Sequence, residues 1–258
     1  MTTPGLVVTE NASVLTIRFD RPEAFNAFTG EMVLETSRLL ETASARDDVR
    51  VVVLTGTGAA FSTGADIGGE NAHENFDVRA LDAANRLVRA IVNCDKLVVA
   101  GVNGIAAGVG LSAALACDLH VCAESAAFLL AFARVGLMPD GGASVTVASA
   151  IGRARTMRLA MLAEPLPAKE AYDAGLVSHL VPDAEFDAAL GSLAKRLSHG
   201  APLAQAATKR SVNAAALGAL EPALEYERTT QTMLLGTRDV AEGMRAFSEK
   251  RKPTFTGE

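Results

Sequence analysis

Residues Leu97 to Cys117 have the sequence LVVAGVNGIAAGVGLSAALAC, which contains no charged side chain. These 21 residues are long enough to span a bilayer, but the pair Asn103-Gly104 and the glycines Gly108 and Gly110 interrupt them. The first part of the stretch is short and rich in β-branched residues, whereas the last part is rich in Ala. The pattern therefore favours a buried strand, a glycine turn and a buried helix over a membrane span.

The sequence on both sides of this stretch continues the alternation of strands and helices. We predict strands at Ser13–Phe19, Arg50–Leu54 and Leu119–Ala123, and helices at Glu31–Ala45 and Asn75–Asn93. The segment Gly56–Gly69 is rich in Gly, Ser, Thr and Ala, and is predicted to be a loop. Strands that alternate with helices indicate an α/β fold whose sheets are largely buried.

The last part of the chain has a different character. No strand pattern follows Val181, and helical spacing predicts helices at Phe186–Leu197, Pro202–Ala216, Glu221–Leu235 and Asp239–Lys250. We therefore predict two segments, a core over residues 1–185 and a helical region over residues 186–258. The exposed apolar faces of these helices would need a partner.

The charge balance and the cysteines narrow the class of protein. The chain has 30 acidic and 24 basic residues and a net charge of −6, so no overall positive field attracts nucleic acid. Cys94, Cys117 and Cys122 lack CxxC spacing, which favours free thiols, largely buried, in a cytoplasmic protein. The four His residues are scattered without an HExxH motif, and the N-terminus lacks the pattern of a signal peptide. We expect no metal, nucleic-acid or membrane partner.

Two glycine-containing loops each follow a predicted buried strand: FSTGADI at Phe61–Ile67 and NGIAAGVG at Asn103–Gly110. Small side chains let backbone N–H groups approach a ligand, and a helix N-terminus adds unpaired donors. Two N–H groups that face one point would form an oxyanion hole. Taken alone, each loop is explained more simply as a tight turn. The second loop does not have the spacing of a dinucleotide-binding fingerprint.

These loops and four further segments together resemble the enoyl-CoA hydratase/isomerase (crotonase) superfamily over nearly the whole chain. The matching segments are RPEAFNAF at Arg21–Phe28, VVVLTGTGAAFSTGADI at Val51–Ile67, VAGVNGIAAGVGLSAALACDLHVCAESAAF at Val99–Phe128, GLMPDGGAS at Gly136–Ser144, DAGLVSHLV at Asp173–Val181 and EGMRAFSEKRKPTF at Glu242–Phe255. The resemblance implies an α/β fold, a crotonase-like spiral of ββα units in two packed sheets, followed by a helical C-terminal region that forms homotrimers or hexamers. It also implies an acyl-CoA substrate, with coenzyme A as part of that substrate and no permanently bound cofactor.

The resemblance assigns roles to residues of both loops. It implies that the N–H groups of Ala65 and Val109 bind the thioester oxygen; relatives usually carry Gly at the second position. It places coenzyme A against a set of residues that comprises Arg21, Ala24, Ala27, Ala60 and Asp66. Arg251 and Lys252 from a neighbouring subunit would be further phosphate partners, with a solvated tail as the alternative.

Both glutamates that hydratases of this family use are missing from this chain. The resemblance places them at the positions that are Ser112 and Phe132 here. Ser is a poor general base without an activator, and Phe cannot carry a proton. We expect Ser112, Phe132 and Leu137 to form the acyl pocket; a small residue in an Ala-rich helix is the simpler explanation for Ser112.

One acid, Asp140 in LMPDGG, remains at a position of catalytic interest. The surrounding segment is similar to the phenylacetate-pathway-type enoyl-CoA isomerases, in which an Asp at this position moves the proton. A double-bond shift needs one base, and a carboxylate with a raised pKa in an apolar pocket suits it. The alternative is that Asp140 only caps the following helix.

The sequence leaves several activities open. We expect a Δ3-to-Δ2 enoyl-CoA isomerase, with an enoyl-CoA hydratase as the next enzyme and a dehalogenase-like reaction as a more distant one. A non-catalytic acyl-CoA-binding protein is the alternative outside enzymes. The acids Asp66, Glu70 and Glu74, with His73 beside them, could enter the site from the first loop, although solvated loop charges are the simpler explanation.

Overall fold

The computed structural model describes residues 3–67 and 77–258. The strands of this part of the chain are β1 (Leu6–Asn11), β2 (Val14–Phe19), β3 (Val51–Gly56), β4 (Ala60–Ser62), β5 (Leu97–Val102), β6 (Ile105–Ala107), β7 (Leu119–Ala123), β8 (Ala127–Leu129), β9 (Leu166–Pro167) and β10 (His179–Val181). They form a six-stranded sheet of order β1-β2-β3-β5-β7-β10 and a four-stranded sheet of order β4-β6-β8-β9.

The helices surround and follow these sheets. They are α1 (Gly30–Ser44), α2 (Val78–Asn93), α3 (Gly108–Ala116), α4 (Ala143–Leu162), α5 (Ala168–Asp173), α6 (Phe186–Ser198), α7 (Pro202–Ala216), α8 (Leu220–Leu235) and α9 (Arg238–Ser248). Short 3-10 helices lie at Pro22–Ala24, Ala131–Val135 and Asp183–Glu185.

The chain repeats a strand–strand–helix unit three times, as β3-β4-α2, β5-β6-α3 and β7-β8-α4. The first strand of each unit lies in the larger sheet and pairs in parallel with the first strand of the next unit. The second strand of each unit lies in the smaller sheet. This arrangement is the spiral of ββα units in two sheets that the sequence predicts.

The stretch Leu97–Cys117 forms a strand, a short turn, a second strand and a helix, in place of one strand, a turn and a helix. Asn103 stabilises the turn: its Oδ1 accepts from Gly56 N at 3.0 Å, and its Nδ2 donates to Ala60 O at 2.9 Å. The predicted loop Gly56–Gly69 was wrong in one respect, because it contains β4. Three-residue strands such as β4 and β6 are too short to show a period of two.

Most other predicted elements are confirmed within two or three residues of their bounds. The helix expected at Asn75–Asn93 is α2, which starts at Val78 with Asp77 as its N-cap; Asn75 lies outside the described residues. Strand β1 was not predicted. All of its residues except Leu6 are exposed, because it is an edge strand paired on one side with β2, so it has little apolar alternation to detect.

The three cysteines are free and buried, as expected. Among residues 3–67 and 77–258, no helix is long and apolar enough to cross a membrane.

The helical segment contacts the core through all four of its described helices, α6, α7, α8 and α9. Lys209 on α7 is buried; its Nζ donates to Ile91 O at 2.8 Å and to Asp118 Oδ2 at 2.9 Å. Several apolar side chains of this segment remain exposed, among them Leu203, Tyr226 and Met233. The boundary at residue 186 and the trimer or hexamer remain predictions.

Helix α6 packs so closely on the larger sheet that position 101 has no room for a side chain. A Cβ at Gly101 would collide with Leu190 Cδ2 and would lie 3.1 Å from Thr55 Oγ1. We expect Gly101→Ala to lower the free energy of unfolding by about 1–3 kcal/mol, the usual cost of overpacking. Urea unfolding measures this. In a Leu190→Ala background the same change should cost clearly less, and equal costs in both backgrounds would contradict the packing explanation.

Candidate active site

The loop after β4 is held against the turn at residues 26–28. Asn26 Nδ2 donates to Ala60 O at 2.7 Å, Phe28 N donates to Gly64 O at 2.7 Å, and Asp66 N donates to Phe28 O at 3.0 Å. The two bonds of Phe28, one to Gly64 O and one from Asp66 N, form a parallel bridge between Phe28 and Ala65. In such a bridge the N–H of the central residue points away from the partner strand, so the N–H of Ala65 is directed to the opposite side.

Helix α3 starts directly beside this loop. A Cβ at Gly64 would lie 3.2 Å from Val109 N and 2.9 Å from Ala107 O, and Gly64 has a φ of +94°. Both observations require glycine at position 64. Val109 is the second residue of α3, and the N–H groups of a first helical turn have no acceptor within the helix. The fold therefore brings two backbone donors, Ala65 N and Val109 N, to neighbouring positions.

A cleft of about 780 Å³ lies over these donors. It is lined from α1 by residues that include Val33 and Leu34, and from α2 by residues that include Leu81 and Ala84. Ala65, Val109 and Asp140 line the same cleft. The structure thus brings together the three residues to which the family resemblance assigns the central roles.

The carboxyl group of Asp140 is buried, with one oxygen bonded and one not. The residue is 6% exposed. Its Oδ2 accepts from Gln231 Nε2 at 2.9 Å. Its Oδ1 is buried and has no hydrogen-bond partner within residues 3–67 and 77–258. A buried oxygen without a partner is energetically costly, and such groups occur preferentially where chemistry requires them.

Burial controls the protonation of this carboxyl. The pKa of Asp140 is raised from 3.8 to about 7. Loss of solvent is the largest cause; the hydrogen bond from Gln231 lowers the pKa, and the negative charge of Glu227 raises it. Burial also raises the pKa of Glu227. A pKa near 7 means that Asp140 can both accept and return a proton near neutral pH.

Ser112 supports the backbone of Asp140. Its Oγ donates to Asp140 O at 2.7 Å, and the side chain is fully buried. The next residue, Gly141, has a φ of +62°, and a Cβ there would lie 2.9 Å from Ser112 Cβ. Ser112 therefore anchors the turn that carries Asp140.

The alternative that Asp140 caps α4 is wrong. Glu227 on α8 takes that role: its carboxylate accepts from Gly142 N at 2.7 Å, from Ser144 N at 3.3 Å and from Ser144 Oγ. A carboxylate at a helix N-terminus satisfies unpaired N–H groups and interacts favourably with the helix dipole. The side chain of Asp140 is thus left for another purpose.

The raised pKa predicts how stability depends on pH. The unfolded chain loses the Asp140 proton near pH 4 and the folded chain near pH 7, so this residue lowers the free energy of unfolding as pH rises between these values. Asp140→Asn should remove that decline. A pKa shift of one unit corresponds to about 1.4 kcal/mol of the free energy of unfolding. Against this gain, the Asn side chain introduces a buried N–H without an acceptor, which costs about 1–3 kcal/mol. We expect the variant to be more stable by about 1–3 kcal/mol at pH 8.

Urea unfolding of both proteins from pH 4 to pH 8 tests this prediction. The difference in free energy between variant and wild type isolates Asp140 from other titrating groups. A difference that stays constant across this range would contradict a raised pKa at Asp140.

The residues assigned to coenzyme A lie near one end of the cleft. Arg21 Nη1 donates to Ala27 O at 2.7 Å and to Asp66 Oδ2 at 3.0 Å. Ala27 and Ala60 are buried, and Ala24 is partly exposed. A second cavity, of about 630 Å³, lies beside Arg21 and shares Thr29 and Gly30 with the cleft. Binding of coenzyme A here remains a prediction.

The remaining candidates lie elsewhere. Phe132 and Leu137 are buried in the core together with Ser112, and none of the three lines the cleft, so their part in an acyl pocket remains a prediction. Arg251 pairs within its own chain with Glu242. His73, Glu70 and Glu74 lie outside the described residues. Within the described ranges, no group of three or more His, Cys, Asp or Glu residues could hold a metal ion.

The sequence interpretation missed Glu227 and Gln231. Both are almost fully buried on α8, on the face that also carries Leu220 and Leu224. The spacing of four, three and four residues puts all four side chains on one side of the helix. Two polar residues within an otherwise apolar stripe were the only available indication, since buried polar groups need partners.

The two sheets of ββα units thus carry a cleft that is lined by Ala65, Val109 and the buried Asp140. The family model described as enoyl-CoA hydratase/isomerase matches residues 9–258. The chain belongs to the enoyl-CoA hydratase/isomerase family, whose fold it shares, and is therefore an enzyme of the acyl-CoA class.

Relatives with different activities resemble the chain over nearly its full length. A probable enoyl-CoA hydratase from Rhodobacter capsulatus is 39% identical over 97% of this chain and 96% of the relative. The 1,2-epoxyphenylacetyl-CoA isomerase of Escherichia coli is 34% identical over 95% of both. The crystal structure of an enoyl-CoA hydratase from Mycobacterium avium subsp. paratuberculosis is 42% identical, with a TM-score of 0.92, over 99% of this chain and 100% of that chain.

Proposed function

We propose that this enzyme shifts the double bond of an enoyl-CoA from Δ3 to Δ2, with Asp140 as the group that moves the proton. The observation that carries the proposal is the carboxyl of Asp140: among the described residues that line the cleft it is the one buried carboxyl, and its Oδ1 has no partner within them. A base that removes a proton from C2 and returns it to C4 must be basic in one step and acidic in the next. A pKa of about 7 suits both steps near neutral pH.

The two backbone donors would stabilise the intermediate. Removal of the C2 proton moves negative charge onto the thioester oxygen of a dienolate. The N–H groups of Ala65 and Val109 border the same cleft as Asp140, where they would donate hydrogen bonds to that oxygen. Such preorganised donors stabilise the charge that develops in the transition state.

The residues at the two positions where hydratases of the family carry Glu support isomerisation over hydration. Addition of water needs a group that positions and activates the water molecule, in addition to the group that exchanges the proton at C2. Ser112 and Phe132 stand at the two positions where hydratases of the family carry Glu. Ser112 donates its hydroxyl to the backbone of Asp140, so it is not available as a base.

Purified enzyme incubated with 3-enoyl-CoA and, separately, with 2-enoyl-CoA of several chain lengths tests the proposal. An isomerase converts the 3-enoyl thioester to the conjugated 2-enoyl thioester without a change in mass, which chromatography and ultraviolet absorbance detect. A hydratase adds the mass of one water, which mass spectrometry detects. Hydration without isomerisation, or binding of acyl-CoA without turnover, would refute the proposal.

A further inference from the structure

The side-chain amide of Gln231 can take only one orientation. Its Oε1 accepts from Met138 N at 3.0 Å, and its Nε2 donates to Met138 O at 2.9 Å and to Asp140 Oδ2 at 2.9 Å. A rotation of the amide by 180° would set an N–H donor against Met138 N–H and an oxygen against two acceptors. The side chain is fully buried, so no water can replace these bonds.

This orientation distinguishes the two oxygens of Asp140. Oδ2 is occupied by the donor from Gln231, whereas Oδ1 is the oxygen without a partner among the described residues. The same amide also binds both backbone groups of Met138, two residues before Asp140. Gln231 therefore ties the carboxyl group and the chain that carries it to the same point on α8.

Glu227 holds the other side of the same turn. It lies one helical turn before Gln231 and binds the N–H groups of Gly142 and Ser144. Asp140 thus sits in a short segment whose two ends are bonded to one face of α8. That face lies in the helical region for which the sequence predicts only a role in assembly.

We propose that Gln231 is a positioning residue for Asp140: it ties Oδ2 so that Oδ1 is the oxygen that exchanges the proton, while Glu227 holds the turn. This inference rests on the proposed function for the identity of the reaction. The contact itself can be tested without turnover.

Other charges bear on any pH profile measured here. Glu227 on α8 is the charged group that acts on Asp140 among the described residues. The neighbours on α3 and α4 that contact this segment, Ser112 and Ser144, are neutral. The cleft also carries charged side chains: Asp66 in the loop after β4, Asp77 at the N-cap of α2, and Arg79, Asp82 and Arg86 on α2. All of these charged groups are retained in the variants below, so their effects on the pH profile cancel when a variant is compared with the wild type.

Gln231→Glu is the decisive variant, because it keeps the shape of the side chain. One oxygen of the introduced carboxyl can still accept from Met138 N. Its other oxygen faces two acceptors, Met138 O and Asp140 Oδ2, and must therefore carry a proton. Two carboxyls that share one proton titrate together, and the upper pKa rises. We expect the acidic limb of the kcat–pH profile to move up by about one pH unit or more, with KM changed less than two-fold.

Gln231→Met and Gln205→Glu complete the set. Gln231→Met keeps the volume but removes all three bonds, and we expect an upward shift of the limb and a decrease of kcat by about ten-fold, close to the loss of one hydrogen bond to a charged group. Gln205 lies on α7 and bonds Leu197 O. Its change to Glu introduces the same side chain at a position that does not line the cleft, and should leave the profile unchanged.

Titration of the Asp140 carboxyl by carbon-13 NMR, in protein labelled at Asp, separates the two claims. An upward shift in Gln231→Glu, seen in both NMR and kcat, supports the inference. If wild-type enzyme has no isomerase activity while the NMR shift is present, the proposed function fails and the positioning contact stands. If Gln231→Glu folds and leaves both the NMR pKa and the kcat profile unchanged, the inference is overturned.

Discussion

Asp140→Asn is expected to lower isomerase turnover by about a thousand-fold or more, while acyl-CoA still binds. One positioned acid–base group contributes about 10²–10⁴-fold, and the proposed reaction uses the same group twice. Asn has nearly the same shape and can accept from Gln231 Nε2 as Asp140 Oδ2 does, so the cleft should keep its form. The measurement is kcat with a 3-enoyl-CoA, together with Kd for a saturated acyl-CoA by calorimetry.

The matched control for this variant is Asp173→Asn. Asp173 is an exposed carboxylate on α5 that pairs with Lys169, and it does not line the cleft. Its substitution should leave kcat unchanged. Full activity of Asp140→Asn would show that another group moves the proton and would overturn the assignment of Asp140.

Val109→Pro is expected to reduce kcat by about 10²–10³-fold, the usual cost of one missing oxyanion donor. Proline has no N–H, yet it is tolerated in the first turn of a helix, where Val109 lies. The substitution thus removes the donor with little change elsewhere in α3. Steady-state kinetics with the 3-enoyl-CoA measures the loss, and we expect it in kcat more than in KM, because the bond strengthens in the transition state.

Val109→Ala is the companion to this variant. It shortens the side chain but keeps the N–H, so its kcat should stay within a few-fold of wild type. Thermal unfolding of both variants controls for damage to α3. Equal losses in Val109→Pro and Val109→Ala would show that the side chain at position 109, and not its N–H, matters for turnover.

The glycine-interrupted stretch Leu97–Cys117 made much of the fold predictable. Apolar runs, breakers and helical spacing are local patterns, and they indicated most of the described helices and the strands β2, β3, β5 and β7 within a few residues. The local pattern failed at the strands of two or three residues, which are β4, β6, β8, β9 and β10, and at β1, whose residues are mostly exposed. Pairing with neighbouring strands stabilises these short or exposed segments, and the sequence near them does not contain that information.

The candidate site, like the fold, was predictable from the sequence only in part. Gly64 and Gly108 occur next to the predicted donors, and Ser112 and Phe132 replace the two family glutamates, all of which is visible in the sequence. The function of Ser112 was not visible, because its partner is the carbonyl of Asp140, 28 residues further along the chain.

The sequence by itself determined the order of elements, the two glycine loops and the single acid left in the active-site segment, because these depend on residue type and short-range spacing. Only the tertiary structure decided what that acid can do. Burial, the hydrogen bond from Gln231, 91 residues away, and the charge of Glu227 together determine its pKa. Its other oxygen has no partner in the part of the chain that the structure describes. Solvation and electrostatic interactions depend on distance in space, and folding brings α8 to Asp140.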